Sequence, residues 1–353
     1  MPLTKAVLRI IDANSNRLGE GLRVLEEIAR FVLDDAPLTS ELKNLRHRFS
    51  PKDPAVKQSY IDARDAAADI GPSVKLDTTE PIRTLSQTVT ANARRAQESL
   101  RVLEELAKTA DTGLDSAVLQ DARFAVYAIE KTLLACLLRQ DKVALIHNLH
   151  AVMDISILGA RRPADTAHEM LRGGARVIRL CGSSVPKRKL LEIALEIVEP
   201  CREYGALFII SQDLDVALAA SADGLHLDQE DLPAKTAREF LPVDRVIGCS
   251  VQSTTQARQA LTDGADYLDY DVTSIITNRA DQIPNYTPIT QIKNEVNLPL
   301  IATGDISPHK ARELLRTGAD GIATTNILLT TSPIEAITRD FIKILEVPCE
   351  SDR

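Results

Sequence analysis

The sequence predicts two parts: an all-α domain over residues 1–140 with an internal helical repeat, then a (β/α)8 barrel over residues 148–347. Three observations predict this. A helical segment occurs twice near the N-terminus, strand-like and helix-like segments alternate eight times from about Asn148, and polar residues collect where those strands end. At 353 residues, 44% of them hydrophobic, the chain is long enough to bury two cores.

The repeat comes first. Residues 13–30 read ANSNRLGEGLRVLEEIAR and residues 91–108 read ANARRAQESLRVLEELAK, an offset of 78 from residue 13 to residue 91. That period is longer than a solenoid unit and suits a duplicated helical hairpin. Leu22, Leu25, Ile28 and Ala29 make one apolar stripe, and Leu100, Leu103, Leu106 and Ala107 repeat it. A polar set, Asn14, Arg17 and Glu20, recurs as Asn92, Arg95 and Glu98. If the copies pack about a pseudo-twofold axis, these residues face one another across a shared cleft; the alternative is two solvated faces. Arg46, His47, Arg64 and Asp65 are further cleft candidates, and a last helix is expected over 116–138.

The eight strand-like runs lie at 151–157, 175–180, 206–210, 224–227, 245–249, 267–270, 299–303 and 321–324. Helix-like segments such as 164–172, 188–203, 254–262 and 307–316 separate them. This alternation implies parallel pairing. A doubly wound open sheet would use fewer strands and usually a GxGxxG turn, which is absent. Short Gly-Ala-Asp signatures precede several strands and suit tight turns.

In such a barrel the chemistry sits where strands end. Those positions hold Asp154, Arg179, Ser211 to Asp213, Asp228 to Asp231, Ser250, Asp269 to Arg279, Gly304-Asp305 and Asn326. Carboxylates beside a glycine loop suit a site that brings a divalent cation and a phosphate together. For the acidic run after the fourth strand, a loop capping the next helix is the competing reading.

The stretches FIISQDLDVALAASADGLHLDQEDLP, VIGCSVQS, GADYLDYD, LPLIATGDIS and GADGIATTNIL resemble thiamine-phosphate synthases across nearly all of 148–347. Residues 5–140 resemble the helical domain fused in front of some of these enzymes. The resemblance implies a Mg2+-dependent transferase that condenses hydroxymethylpyrimidine diphosphate with thiazole phosphate, giving thiamine phosphate and pyrophosphate. It assigns Asp231 to the metal, Ser250 and Arg279 to catalysis, and Gly304 to a phosphate loop. Arg179, Ser211, Gln212 and Asn326 occupy its other substrate-binding positions.

Several positions depart from the family pattern. The run after the second strand, QLREK in the family, is Arg179 to Ser183 here, so two cations are lost. Ser211-Gln212 replaces Asn-Asp, Asp269 and Asp271 replace glycines, and Asp305 replaces the second glycine of the phosphate loop. These losses leave alternatives: a barrel that binds a thiazole or pyrimidine phosphate without transferring it, in a regulatory or scaffold role, or a scaffold barrel with the active site in the helical domain.

Composition narrows the partners. A net charge of -8, 3% aromatic residues and no Trp argue against a nucleic-acid surface. Residues 1–17 lack the apolar core of a signal peptide, and no stretch approaches the length of a membrane span. Five scattered cysteines suit a reducing cytoplasm. Small phosphorylated substrates are the expected partners, and a homo-oligomer is compatible with the sequence.

Overall fold

The computed structural model describes residues 3–51, 53–64, 82–109, 112–182, 184–273 and 286–346. The chain divides into two compact units, Met1–Leu137 and Leu138–Arg353.

In the first unit the repeats form long helices, α1 (Lys5–Phe31) and α4 (Leu85–Thr109), which pack on each other. Two shorter helices, α2 (Ala36–Arg48) and α3 (Pro54–Ala63), pack on α1. Thr4, Asp35 and Asp53 cap α1, α2 and α3 with side-chain oxygens, each satisfying a backbone N–H that the first turn leaves free. The apolar stripes form the core: Leu18, Leu22 and Leu25 of α1 with Val89, Ala93, Leu100 and Leu103 of α4. Gly21 permits the close approach, because a Cβ there would lie 2.8 Å from the Asn92 carbonyl oxygen.

The helix expected over 116–138 is longer; α5 runs Ser116–Ile146. Its last turn has work to do in the second unit. Ile146 is fully buried among Val152, Val177, Leu207, Val246, Tyr267 and Ile301, apolar residues of the barrel strands.

Eight parallel strands close that barrel in sequence order. They are β1 (Leu149–Asp154), β2 (Val177–Cys181), β3 (Leu207–Ser211), β4 (Gly224–Leu227), β5 (Val246–Ser250), β6 (Tyr267–Asp271), β7 (Leu300–Gly304) and β8 (Gly321–Thr324). The first strand starts and stops earlier than expected. Asp154 ends it by capping a one-turn helix, α6 (Ile155–Leu158), through the Ser156 amide at 2.8 Å.

The helices between strands are α7 (Pro163–Arg172), α8 (Lys187–Glu203), α9 (Leu214–Ala219), α10 (Ala234–Phe240), α11 (Thr254–Thr262), α12 (Thr287–Glu295), α13 (Pro308–Arg316) and α14 (Asn326–Thr330). The last helix is α15 (Ile334–Leu345). Strand residues of alternate parity, such as Ile178, Phe208, Ile247 and Leu268, pack outward against them.

The Ala-Asp pairs of the turn signatures have a physical role. Asp266 accepts the Ile247 amide at 2.7 Å, Asp320 the Leu300 amide at 2.7 Å, and Asp223 the Phe208 amide at 3.2 Å. Each carboxylate thus joins the start of one strand to the start of the next. Just before these pairs, Gly264 and Gly318 take φ of 87° and 106°, conformations an L side chain would strain.

Candidate active site

At the C-terminal ends of β3 to β6 the inward-facing residues become polar. Alternation along β4, β5 and β6 sends His226, Ser250 and Asp269 inward, and Arg179 of β2 joins them. Gly248 makes room. A Cβ there would sit 2.0 Å from Tyr267 Cζ, so glycine lets the fully buried Tyr267 ring cross the barrel to His226.

A hydrogen-bonded chain follows. Ser250 Oγ donates to Asp228 Oδ1 at 2.5 Å, and the Gln212 amide donates to Asp228 Oδ2 at 3.0 Å. His226 Nε2 lies 3.0 Å from Ser250 Oγ and 3.6 Å from Asp269 Oδ2. Since the Ser250 proton points to Asp228, His226 must donate from Nε2. Its Nδ1 then accepts from the Tyr267 hydroxyl at 3.1 Å. Burial, and after it Arg179, pushes the His226 pKa down to about 4, so the ring stays neutral.

Arg179 and Asp269 form an ion pair inside the barrel, with side chains 8% and 0% exposed. Burial opposes ionisation of Asp269, yet the Arg179 guanidinium outweighs it and holds the carboxyl below its usual range. Arg179 Nε and Asp269 Oδ1 have no hydrogen-bond partner among the described residues. His150, below them, donates from Nε2 to the Ile146 carbonyl, 3.0 Å away, and burial lowers its pKa to about 4.

The expected residues are distributed unevenly. Ser250 and Gln212 meet on Asp228, and Asp231 Oδ2 accepts the Asp228 amide at 2.7 Å. Asp231 therefore both caps the loop and stands at the mouth, and burial raises its pKa. Gln212 takes φ of 70°, an uncommon conformation for a side-chain-bearing residue, at the strand end. Ser211 is buried with its Oγ 3.1 Å from Cys181 Sγ.

Gly304 ends β7 with φ of 151°, and a Cβ there would meet Thr273 Oγ1 at 2.9 Å. Asn326 opens α14 and is exposed. Arg279 lies outside the described residues. The role expected of Arg179 needs correction: its charge is already engaged by Asp269 within the barrel, so it is not an open cation for a substrate. Asp228 and His226 link the site together although neither was among the assigned site residues. Their signal was the inward parity of a histidine on β4 followed two residues later by a carboxylate.

The shared cleft expected in the helical unit is also corrected. Asn14 and Asn92 are buried and turn back onto their own helices, donating to the Ile10 and Thr88 carbonyls at 2.9 Å. Arg17, Glu20, Arg95 and Glu98 are exposed. Each repeat lines its own cleft instead. One, of about 380 Å³, includes Glu20, Arg23, Arg46 and Tyr60; the other, of about 430 Å³, includes Glu98, Arg101, Arg123 and Tyr127. The motif's second glutamates anchor these walls: Glu26 pairs with Arg46 at 2.7 Å and Glu104 with Arg123 at 3.2 Å. Arg64 pairs with Asp12 at 2.6 Å, His47 lies on α2, and Asp65 falls outside the described residues.

A closed eight-stranded barrel with polar groups gathered at the C-terminal strand ends is a (β/α)8-barrel enzyme architecture. The family profile described as "Thiamine monophosphate synthase" matches residues 149–328, and that of the "ThiD2 family" matches residues 9–132. The chain is 34% identical over 356 residues to a thiamine-phosphate synthase of Rhodopirellula baltica, covering 97% of this chain and 94% of the relative. It is 31% identical over 342 residues to one from Thermosynechococcus vestitus, covering 96% and 94%. A solved thiamine phosphate pyrophosphorylase from Pyrococcus furiosus superposes with a TM-score of 0.51 at 35% identity, covering 56% of this chain and 95% of that one. The chain belongs to the thiamine-phosphate synthase family.

Proposed function

We propose that this chain condenses hydroxymethylpyrimidine diphosphate with thiazole phosphate, forming thiamine phosphate and releasing pyrophosphate. The observation that carries the reading is the similarity to thiamine-phosphate synthases along both units, 34% over 97% of the chain in one relative.

The mouth suits that reaction in a particular way. A departing diphosphate gathers negative charge, and a site accelerates departure by placing opposite charge there beforehand. Free cations are scarce among the described mouth residues. Arg179 is held by Asp269, and Lys187 is paired with Asp213 at 3.1 Å and Asp215 at 2.9 Å. Oxygen donors are plentiful: Asp228, Asp231, Asp213 and Gln212.

No group of three or more His, Cys, Asp or Glu side chains among the described residues is arranged to enclose an ion. This donor set still fits Mg2+, which binds through one or two carboxylates and completes its shell with water and substrate phosphates. Asp231 and the neighbouring Asp228 would hold it, and when bound it would supply the positive charge that the diphosphate requires. Gly304 and Asn326, at the ends of β7 and β8, are assigned to the phosphate of the thiazole substrate, in keeping with where such barrels bind phosphate.

We place the reaction in the cytoplasm. The described cysteines Cys181, Cys201 and Cys249 are free thiols, and no helix among the described residues is long and apolar enough to cross a membrane. The test is pyrophosphate release from purified protein supplied with each phosphorylated substrate alone and with both. Release that needs both substrates supports the transferase reading. Binding of either substrate with no release would overturn it.

A further inference from the structure

Gln212 combines a strained backbone with a side chain that reaches another loop. Its φ is 70°, and the Asp213 N–H closes a three-residue turn around it on the Ser211 carbonyl at 2.9 Å. Such a turn with positive φ at its centre is rare and strained. The Gln212 N–H donates to the His226 carbonyl at 2.8 Å, so the backbone is still paired to β4 where it makes this turn. Glycine adopts positive φ freely, yet the chain keeps a long side chain here.

That side chain holds Asp228. Its amide lies 3.0 Å from Asp228 Oδ2, and because a carboxylate only accepts, the nitrogen must be the atom facing it. Ser250 Oγ donates to the other oxygen, Oδ1, at 2.5 Å, and the Asp228 N–H donates to Asp231 Oδ2 at 2.7 Å. The Asp228 side chain is 50% exposed. A half-exposed carboxylate gripped at one oxygen can still turn about that bond. Gripped at both, it has one orientation.

We propose that Gln212 is a positioning residue for the transfer reaction: its strained turn places the amide that fixes the Asp228 carboxylate beside Asp231. The family pattern has a carboxylate at position 212, so the sequence alone makes Gln212 a lost ligand. The geometry makes it a donor that serves the carboxylate on the next strand's loop. The proposal rests on the transferase reading and its Mg2+ site, and one of its two readouts needs neither metal nor substrate.

Wild type, Gln212→Gly, Gln212→Asn and Gln212→Glu are compared by thermal unfolding in metal-free buffer and by pyrophosphate release titrated with Mg2+. Gly relieves the turn, so that variant should melt about 2–4 °C above wild type. Its Mg2+ requirement for half-maximal rate should nonetheless rise about tenfold, the effect of one lost bond to a charged group. The KM for thiazole phosphate should change less than about twofold. Asn also accepts positive φ but is one methylene shorter, so it should need as much Mg2+ as the Gly variant. Glu keeps the reach but cannot donate to a carboxylate, and should also need more Mg2+ than wild type. A merely structural contact would give the opposite pairing, lower melting with an unchanged Mg2+ titration. A Gly or Asn variant with the wild-type Mg2+ requirement overturns the proposal, as does a Gly variant that melts below wild type. A Glu variant saturated by less Mg2+ overturns it too, by making position 212 a ligand. Wild type without turnover defeats the transferase reading and this proposal with it, whereas an active wild type matched by its Gly variant defeats this proposal alone.

Discussion

Replacing Arg179 by Gln should expose how the barrel interior holds its charges. The substitution leaves Asp269, whose side chain is 0% exposed, without its cation. Breaking a buried pair from one side costs about 3–5 kcal/mol, whereas removing both charges costs far less. At about 2–4 °C of melting temperature per kcal/mol for a domain of this size, the single variant should melt roughly 6–20 °C lower. The loss should depend on pH. In wild type, Arg179 is one of the groups keeping His226 neutral. Without it, protonated His226 can neutralise Asp269, so the variant should recover part of the difference on going from pH 8 to pH 6. Thermal and denaturant unfolding of wild type, Arg179→Gln and Arg179→Gln/Asp269→Gly at both pH values provide the assay. A single variant as stable as the double one would refute the buried-pair reasoning.

Other consequences follow from the same geometry. His150 and His226, with pKa values lowered to about 4, bind protons in the unfolded chain between about pH 6.5 and 4 but not in the folded one. Stability should therefore fall with falling pH across that window, by about 1.4 kcal/mol per pH unit for each ring; a flat denaturation profile between pH 7 and 5 would contradict this. Asp231→Asn keeps an acceptor for the Asp228 amide but removes a charge, so folding should persist while half-maximal activity needs more than about tenfold more Mg2+. An unchanged Mg2+ titration would remove Asp231 from the metal site. Gly248→Ala places a methyl group 2.0 Å from Tyr267 Cζ, and the displaced ring should lower stability by about 1–3 kcal/mol, read by urea unfolding.

The fold was legible because its signals are local and repeated. Apolar runs of strand length marked all eight strands, and the repeated LRVLEE run marked the helices whose apolar faces meet. The first strand was misplaced because Asp154, polar and capping, ends it within an apolar stretch that continues into α6. The expectation for α5 stopped short because the buried role of Ile146 depends on strands that follow it in the chain. The site was only partly legible. Ser250 and Gln212 follow from strand-end positions, but the partner of Arg179 is 90 residues away and belongs to another strand. Read by itself, Arg179 looked like a substrate cation; the register of the barrel makes it part of the interior.

The most direct test of the account is pyrophosphate release with hydroxymethylpyrimidine diphosphate and thiazole phosphate, titrated with Mg2+ and then with chelator. The account predicts release only when both substrates and the metal are present, abolished by chelation and restored by added Mg2+. Full-rate release in chelator, or none from folded protein under any condition, would contradict it.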